Sequence, residues 1–340
     1  MKKLNIKQVK VNSIFNSLSV LSCTLVTSSL LAADLNYESI SSLEEPLAFE
    51  YQDVTFSLTG LLDSGSIYSE QNNSSDTTYL GNIQLSAETQ LSNSWTLGGA
   101  YFAEYDDSND NDEFTDNVAV YLGGIWGTGS IGNVTGLVRE TTRRLRGTGN
   151  ATLFFDDNLG ALDDYGITYI GRFGPSQFLA TADQEGNYEI ASTFQRPIGN
   201  KDYRFSLRFS DSEYTPDNEI TTFDSLALGF VSELTYGSNV FDLGLGLEQL
   251  STNSVSYDRR YLSFGASRKI GRLTFSGEAH FGDIEGASET SYALGANVEI
   301  ARGLSLNLGV NHRDAIIDLD NISLLNEDDT EASLSLRYSF

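Results

Sequence analysis

Apolar residues fall at every second position in segment after segment of this chain. In "DVTFSLTGLL", Val54, Phe56, Leu58 and Leu62 alternate with Asp53, Thr55, Ser57 and Thr59. "KDYRFSLRFS" sets Tyr203, Phe205, Leu207 and Phe209 against Arg204, Ser206, Arg208 and Ser210. The same period runs through 83–91, 241–248, 273–281, 304–310 and the last residues, "EASLSLRYSF". Strict alternation is the signature of a strand with one apolar face. Two architectures use many such strands. A soluble sandwich hides the apolar faces inside, whereas a membrane barrel turns them outward to lipid and keeps the polar faces around a lumen. Here the second face carries Glu, Arg, Asn, Gln, Ser and Gly in nearly every segment. The segments run to about ten residues, the length with which a tilted strand crosses a bilayer, against roughly 5–6 for ordinary strands.

The links between segments alternate in length. Short ones lie at Ser92-Asn93, 127–130, Gly174-Pro175, 198–201, 236–239, Ile270-Gly271 and Arg302-Gly303. Longer polar ones lie at 63–77, 107–115, 140–163, 213–221, 252–257, 285–289 and 317–329, with one short link on that side at 185–187. Tight turns at one end and longer loops at the other are the parity of an outer-membrane barrel. The expected fold is all-β, a transmembrane antiparallel β-barrel of about 16 strands. Unpaired backbone in lipid costs several kcal/mol per group, so the barrel must close. The last strand then zips against the first, which explains a chain that stops in mid-strand on Phe340.

The N-terminus reads as an export signal. Lys2, Lys3, Lys7 and Lys10 precede the apolar, small-residue run "SLSVLSCTLVTSSLLAA", the pattern of a cleaved secretory segment. Cleavage after Ala33 removes four Lys and no acid, taking the formal charge from −26 to −30. It also removes Cys23, the one cysteine, and leaves no disulfide. The expected layout is a signal peptide over 1–33, a short segment over 34–48 and the barrel over 49–340. No later run is long and apolar enough for a membrane helix. The acidic balance excludes nucleic acid as a partner, since phosphate binding needs a surplus of Lys and Arg.

Together these features resemble the general porins of the Gram-negative outer membrane, the sixteen-stranded trimeric type, over about residues 45–340. The terminal Phe340, with Tyr338 and Leu336 at alternate positions before it, resembles the C-terminal signature read by barrel-assembly machinery. "TTRRLRGTGNATLFFDDNLGALDDYGITYIGRFGP" resembles the constriction-loop region, although the "PEFGG" sequence of many enteric porins is absent. The resemblance implies a homotrimer in the outer membrane, in contact with lipid and lipopolysaccharide. It also implies an inward-folded third loop and a water-filled channel for passive diffusion of ions and small hydrophilic solutes, with no cofactor. The alternatives are a structural or adhesive surface barrel and a substrate-selective channel.

The third link, 140–163, is then the candidate constriction. Arg139, Arg143, Arg144 and Arg146 gather at its start, and Asp156, Asp157, Asp163 and Asp164 at its end. Opposed charges across a narrow pore make a transverse field that screens ions. The same charges could instead pair and only hold the loop down. Arg172, Arg204 and Arg208 fall on the polar face of their strands, as lumen wall. Acids outnumber bases on that face, which favours weak cation preference. Acidic stretches at 106–116 and 326–331 read as solvated loops; the first lacks the Gly and terminal Glu of a calcium loop. An enzyme needs a nucleophile beside a positioned base. The two histidines, His280 and His312, fall on opposite strand faces, and His280 has only its strand neighbours Ser276 and Glu278 nearby, so no catalytic or metal site is expected.

Overall fold

The end of the chain is the seam of the fold. The Phe340 amide donates to the Gly60 carbonyl at 3.0 Å, and its own carbonyl accepts from the Gly60 amide at 2.9 Å. The computed structural model describes residues 47–107, 113–145, 147–162, 165–216, 221–252, 254–319 and 322–340. It contains β1 (Leu47–Tyr51), β2 (Val54–Ser69), β3 (Ser74–Gln90), β4 (Thr96–Asp106), β5 (Glu113–Gly124), β6 (Gly127–Gly132), α1 (Leu137–Thr142), β7 (Gly166–Phe173), β8 (Ser176–Asp183) and β9 (Tyr188–Ile198). There follow β10 (Lys201–Tyr214), β11 (Phe223–Tyr236), β12 (Asn239–Ser251), β13 (Ser256–Ile270), β14 (Leu273–Ile284), β15 (Ala287–Ala301), β16 (Leu304–Leu319) and β17 (Ile322–Ser339). Each strand from β2 to β17 pairs antiparallel with the next, and β17 returns to β2 over Glu331–Ser339 against Ser69–Leu61. That is a closed sixteen-stranded barrel, as expected. The extra strand, β1, pairs with Val54–Leu58 of β2. It continues the line of β17 just past Phe340 and covers the stretch of β2 that β17 is too short to reach.

The barrel is inside-out relative to a soluble protein. Along β10, Phe205 and Leu207 face outward and are exposed, while Ser206, Arg208, Ser210 and Ser212 face inward and are buried. Leu226, Leu228, Leu245, Leu294, Leu334 and Leu336 are likewise exposed on the outside. This is the surface a bilayer covers, and it contributes to folding only there. At one end the strands join through tight turns, six of them at the expected places; the seventh, expected at 127–130, falls at Ile125-Trp126, and 127–130 lie in β6, whose glycines and serine hide its alternation. Gly237 (φ +59°) and Gly271 (φ +63°) open two-residue turns there in the left-handed region that such hairpins favour.

At the other end the parity holds but the lengths differ. Residues 63–77 and 317–329 are mostly strand. β2 and β3 meet in a turn at 70–73, and β16 and β17 continue to either side of 320–321. Only 133–165 is long. The reason is physical: a hairpin projecting above the membrane is wet on both faces, so its alternation fades although its ladder continues. β17, at 18 residues, is such a strand.

The β16–β17 hairpin also bends inward over the mouth. Its register shifts between Ile317 and Asp318. Ala315, Ile317, Leu324 and Leu325 pack with Phe223, Leu250, Tyr257 and Ile284 from the inner faces of β11–β14, all buried. The Tyr214 hydroxyl at the end of β10 donates to the Leu324 carbonyl at 2.6 Å. The outer mouth is thereby roofed on the β10–β17 side by an apolar core.

Candidate functional site

The described residues 133–145 and 147–162 lie inside the barrel. β6 has only six residues and ends at Gly132, where φ is +134° and a side chain would strike the backbone of β5. The chain leaves the wall there, and α1 lies on the inner faces of β7–β9. Leu137 and Val138 pack on Ile170, Leu179 and Ala191, which explains apolar residues on an otherwise polar face. From α1 the loop runs along the inner wall toward β17 and returns.

Wall side chains hold it at nearly every step. Arg204 donates to the carbonyls of Thr141 and Arg143, each at 2.7 Å, and pairs with Glu233, which accepts the Leu145 amide at 2.8 Å. The amides of Thr148, Thr152 and Phe154 donate to Ser276, Asn311 and Ser291. Asn150 donates to Ser335 at 3.0 Å, beside the Arg337–Asp63 pair at the barrel seam. On the return, Arg259 donates to the carbonyls of Phe155 (2.5 Å) and Asp157 (2.7 Å). It is fully buried between Glu248 and Glu289, each 2.9 Å away. Glu248 in turn accepts the amides of Leu159 (2.9 Å) and Gly160 (3.0 Å).

The expected constriction residues fall into this scheme as matched pairs, not as arrays facing each other across open water. Arg139 pairs with Asp157 at 3.1 Å, and Arg208 pairs with the same carboxylate. Arg143 pairs with Glu140. Arg144 reaches Asp242 at 2.9 Å, Glu278 at 2.6 Å and Asp156 at 4.0 Å. Burial pushes the Asp157 carboxyl up, but Arg208 and Arg139 outweigh it and hold it well below the usual carboxylate range. Arg146, Asp163 and Asp164 lie outside the described residues. Arg204 and Arg208 face inward as expected, yet the loop covers them. Arg172 is exposed near the 174–175 turn. Leu336 and Tyr338 face outward and exposed, and the Tyr338 ring stacks on Phe340 at 5.8 Å.

His280 is buried and faces inward, but its partners are not Ser276 and Glu278, which the loop occupies. Its Nδ1 meets Ser263 at 2.8 Å and its Nε2 meets Glu289 at 3.1 Å. All three side chains are buried, and Glu289 is committed to Arg259. His312 faces outward and stacks on Tyr292. The acids at 326–331 belong to β17: Glu327 and Glu331 pair with Arg313, and Asp329 accepts from Ser69 and the Gln71 amide. In the other acidic stretch, 108–112 lies outside the described residues. Among the described residues no group of three or more side chains is placed to hold a metal.

Two features escape a reading of local motifs. Arg259 sits beside Arg260 in an unremarked strand; only the phase set by Tyr257, Tyr261 and Ser263 puts it inside. The second is a charge asymmetry. No Lys or Arg occurs from residue 11 to residue 138. β2–β6 therefore form a wall without a cation of its own; the start of the loop rests on it, Asn133 donating to Asn117 at 2.6 Å and Val134 packing on Ala100, Ala119 and Tyr121, while the charged anchors bind to the strands from β7 onward. Facing the lumen on that wall are Glu104, with Asn82 at 3.3 Å, and Glu88, which accepts the Tyr121 hydroxyl at 3.0 Å. Between them lie Gln84, Phe102 and Asn117 at one level of the register.

Solved structures share this fold. OmpT of Vibrio cholerae, in its trimer form, superposes with a TM-score of 0.69 at 13% identity, covering 85% of this chain and 100% of that one. An anion-selective porin from Comamonas acidovorans gives 0.60 at 14%, covering 85% and 100%. A mutant of the Rh. blastica porin gives 0.55 at 15%, covering 84% and 100%. No curated protein matches in sequence. A family profile described as Gram-negative porin matches residues 17–340. With that match over nearly the whole length, a closed sixteen-stranded barrel and a loop folded into its lumen, the chain belongs to the Gram-negative porin family, the channel proteins of the outer membrane.

Proposed function

We propose that this porin works as a homotrimer, exported through a cleaved signal peptide, and passes small hydrophilic solutes with a preference for cations along the β2–β6 wall. The observation that carries the reading is the division of the lumen. The arginines of one side are paired with carboxylates of the wall and of the loop, while the other side offers Glu88 and Glu104 with no cation in its strands. Glu104 stands on the outer side of the level of Gln84 and Asn117, and Glu88 on the inner side. Carboxylates flanking a narrow passage concentrate cations and repel anions. The loop residues Arg139, Arg143, Arg144, Asp156 and Asp157 define the constriction by holding its edge in place, and they contribute little net field of their own. Leu336, Tyr338 and Phe340 serve as the strand that assembly machinery reads. The Ser263–His280–Glu289 chain is structural, because it is sealed and its carboxylate is already engaged.

The folded protein in a planar bilayer is expected to open and close in three equal conductance steps. Single unlinked steps would contradict the trimer, and silence from demonstrably folded barrels would contradict the open channel. The roof is testable in the same assay. Leu324→Asp puts a carboxylate into the apolar core over the mouth, a burial that costs several kcal/mol unpaired. The hairpin is expected to lift and the conductance to rise. An unchanged conductance would show that flow is set below it.

A further inference from the structure

Where the loop turns at 148–150, it meets a bare patch of wall. Gly295 on β15 and Gly309 on β16 are directly opposite each other in the ladder, and both face the lumen. A side chain on Gly295 would overlap the carbonyl oxygen of Thr148 and stand 2.7 Å from the Ala151 methyl. One on Gly309 would stand 2.5 Å from the backbone of Asn150. The loop answers with a glycine of its own. Gly149 has φ +69°, and a side chain there would lie 2.5 Å from the Leu308 carbonyl and 2.6 Å from that of Ala296. At the glycines loop and wall thus meet backbone to backbone, with only the small Ala151 methyl packed beside the contact, against Ala293.

We infer that Gly149, Gly295 and Gly309 are positioning residues that set the aperture of the channel, a role resting on the porin reading above. The side-chain anchors fix where the loop lies along the wall. The glycines fix how far it stands off, and every ångström of stand-off at this turn is taken from the opening. Any methyl group here must push the loop by ~1 Å toward the lumen, because ordinary contact with carbon begins near 3.5 Å. The anchors on either side, Ser276 to Thr148 and Asn311 to Thr152, keep the loop from leaving the wall altogether.

The wall supplies its own control. Gly229 on β11 also faces the lumen, yet a side chain there would meet nothing within 4 Å. Single-channel conductance would be recorded for the wild type and for Gly295→Ala, Gly309→Ala and Gly229→Ala, each first shown to be a folded barrel by resistance to unfolding in detergent. The expected result is a fall of at least roughly a fifth for the first two, with a lower size limit for neutral sugars, and no change for the third. Should Gly295→Ala or Gly309→Ala not fold, Gly149→Ala on the loop side tests the same contact without altering the barrel. Equal conductance in all folded variants would overturn the inference, as would a rise, which would mean that the loop comes free. An inactive wild type would instead sink the porin reading itself.

Discussion

Arg259→Ala is expected to free the return limb of the loop and enlarge the channel. The guanidinium holds the carbonyls of Phe155 and Asp157 and sits between Glu248 and Glu289, with all three charged side chains fully buried. Removing one member of such a group leaves uncompensated charge and costs roughly 3–5 kcal/mol. No ladder hydrogen bond depends on this side chain, so the barrel still closes and the loss falls on the loop. Conductance should rise and become noisy, and the loop should become open to protease added to detergent-solubilised protein. Arg259→Lys keeps the charge but not the fork that serves two carbonyls and two carboxylates, so an intermediate result is expected. Wild-type conductance and protection in Arg259→Ala would mean that the remaining anchors suffice.

The second large effect concerns ions. Glu88→Gln with Glu104→Gln should bring the cation-to-anion permeability ratio down several-fold, toward that of an uncharged pore. The two carboxylates lie on the same wall, and Glu104 is level with Asn82, six residues along β3 from Glu88. Six residues of strand span ~20 Å. That exceeds the ~10 Å screening length at 0.1 M salt, so the two act on separate parts of the path and the single variants should each give part of the change. Both substitutions keep the hydrogen bonds to Tyr121 and Asn82 available, so the barrel should be undisturbed. A double variant with undiminished selectivity would move the filter to the mouth or to the loop edge.

Much of the fold is legible in the sequence because a barrel in lipid exposes its rule at every second residue. Phe340 could be read as a closing residue from period alone, and it bonds to Gly60. Most short turns were legible for the same reason; the one at Ile125-Trp126 was not, because the glycines of β6 after it read as the turn itself. Segments 63–77 and 317–329 were not, since hairpins above the membrane lose the apolar face that announces a strand. The loop stood out by its length and its charges, its inward placement followed from the resemblance to porins, and what the charges do was not legible. Whether Arg144 faces open water or Asp242 and Glu278 depends on strands about a hundred residues further along the chain. Arg259 and the Gly295–Gly309 pair belong to long-range register, which no local window contains. The absence of Lys and Arg across residues 11–138 was in plain view, but it gained meaning only once those strands were seen to form one wall.

Ions are expected to pass along an anionic wall while the arginines on the other side stay paired with carboxylates at the loop. The reversal potential of the wild-type channel in a tenfold potassium chloride gradient at low ionic strength decides this. The expected potential has the sign set by potassium flow. A potential set by chloride would contradict it, and would mean that arginines placed here beneath the loop face the open path.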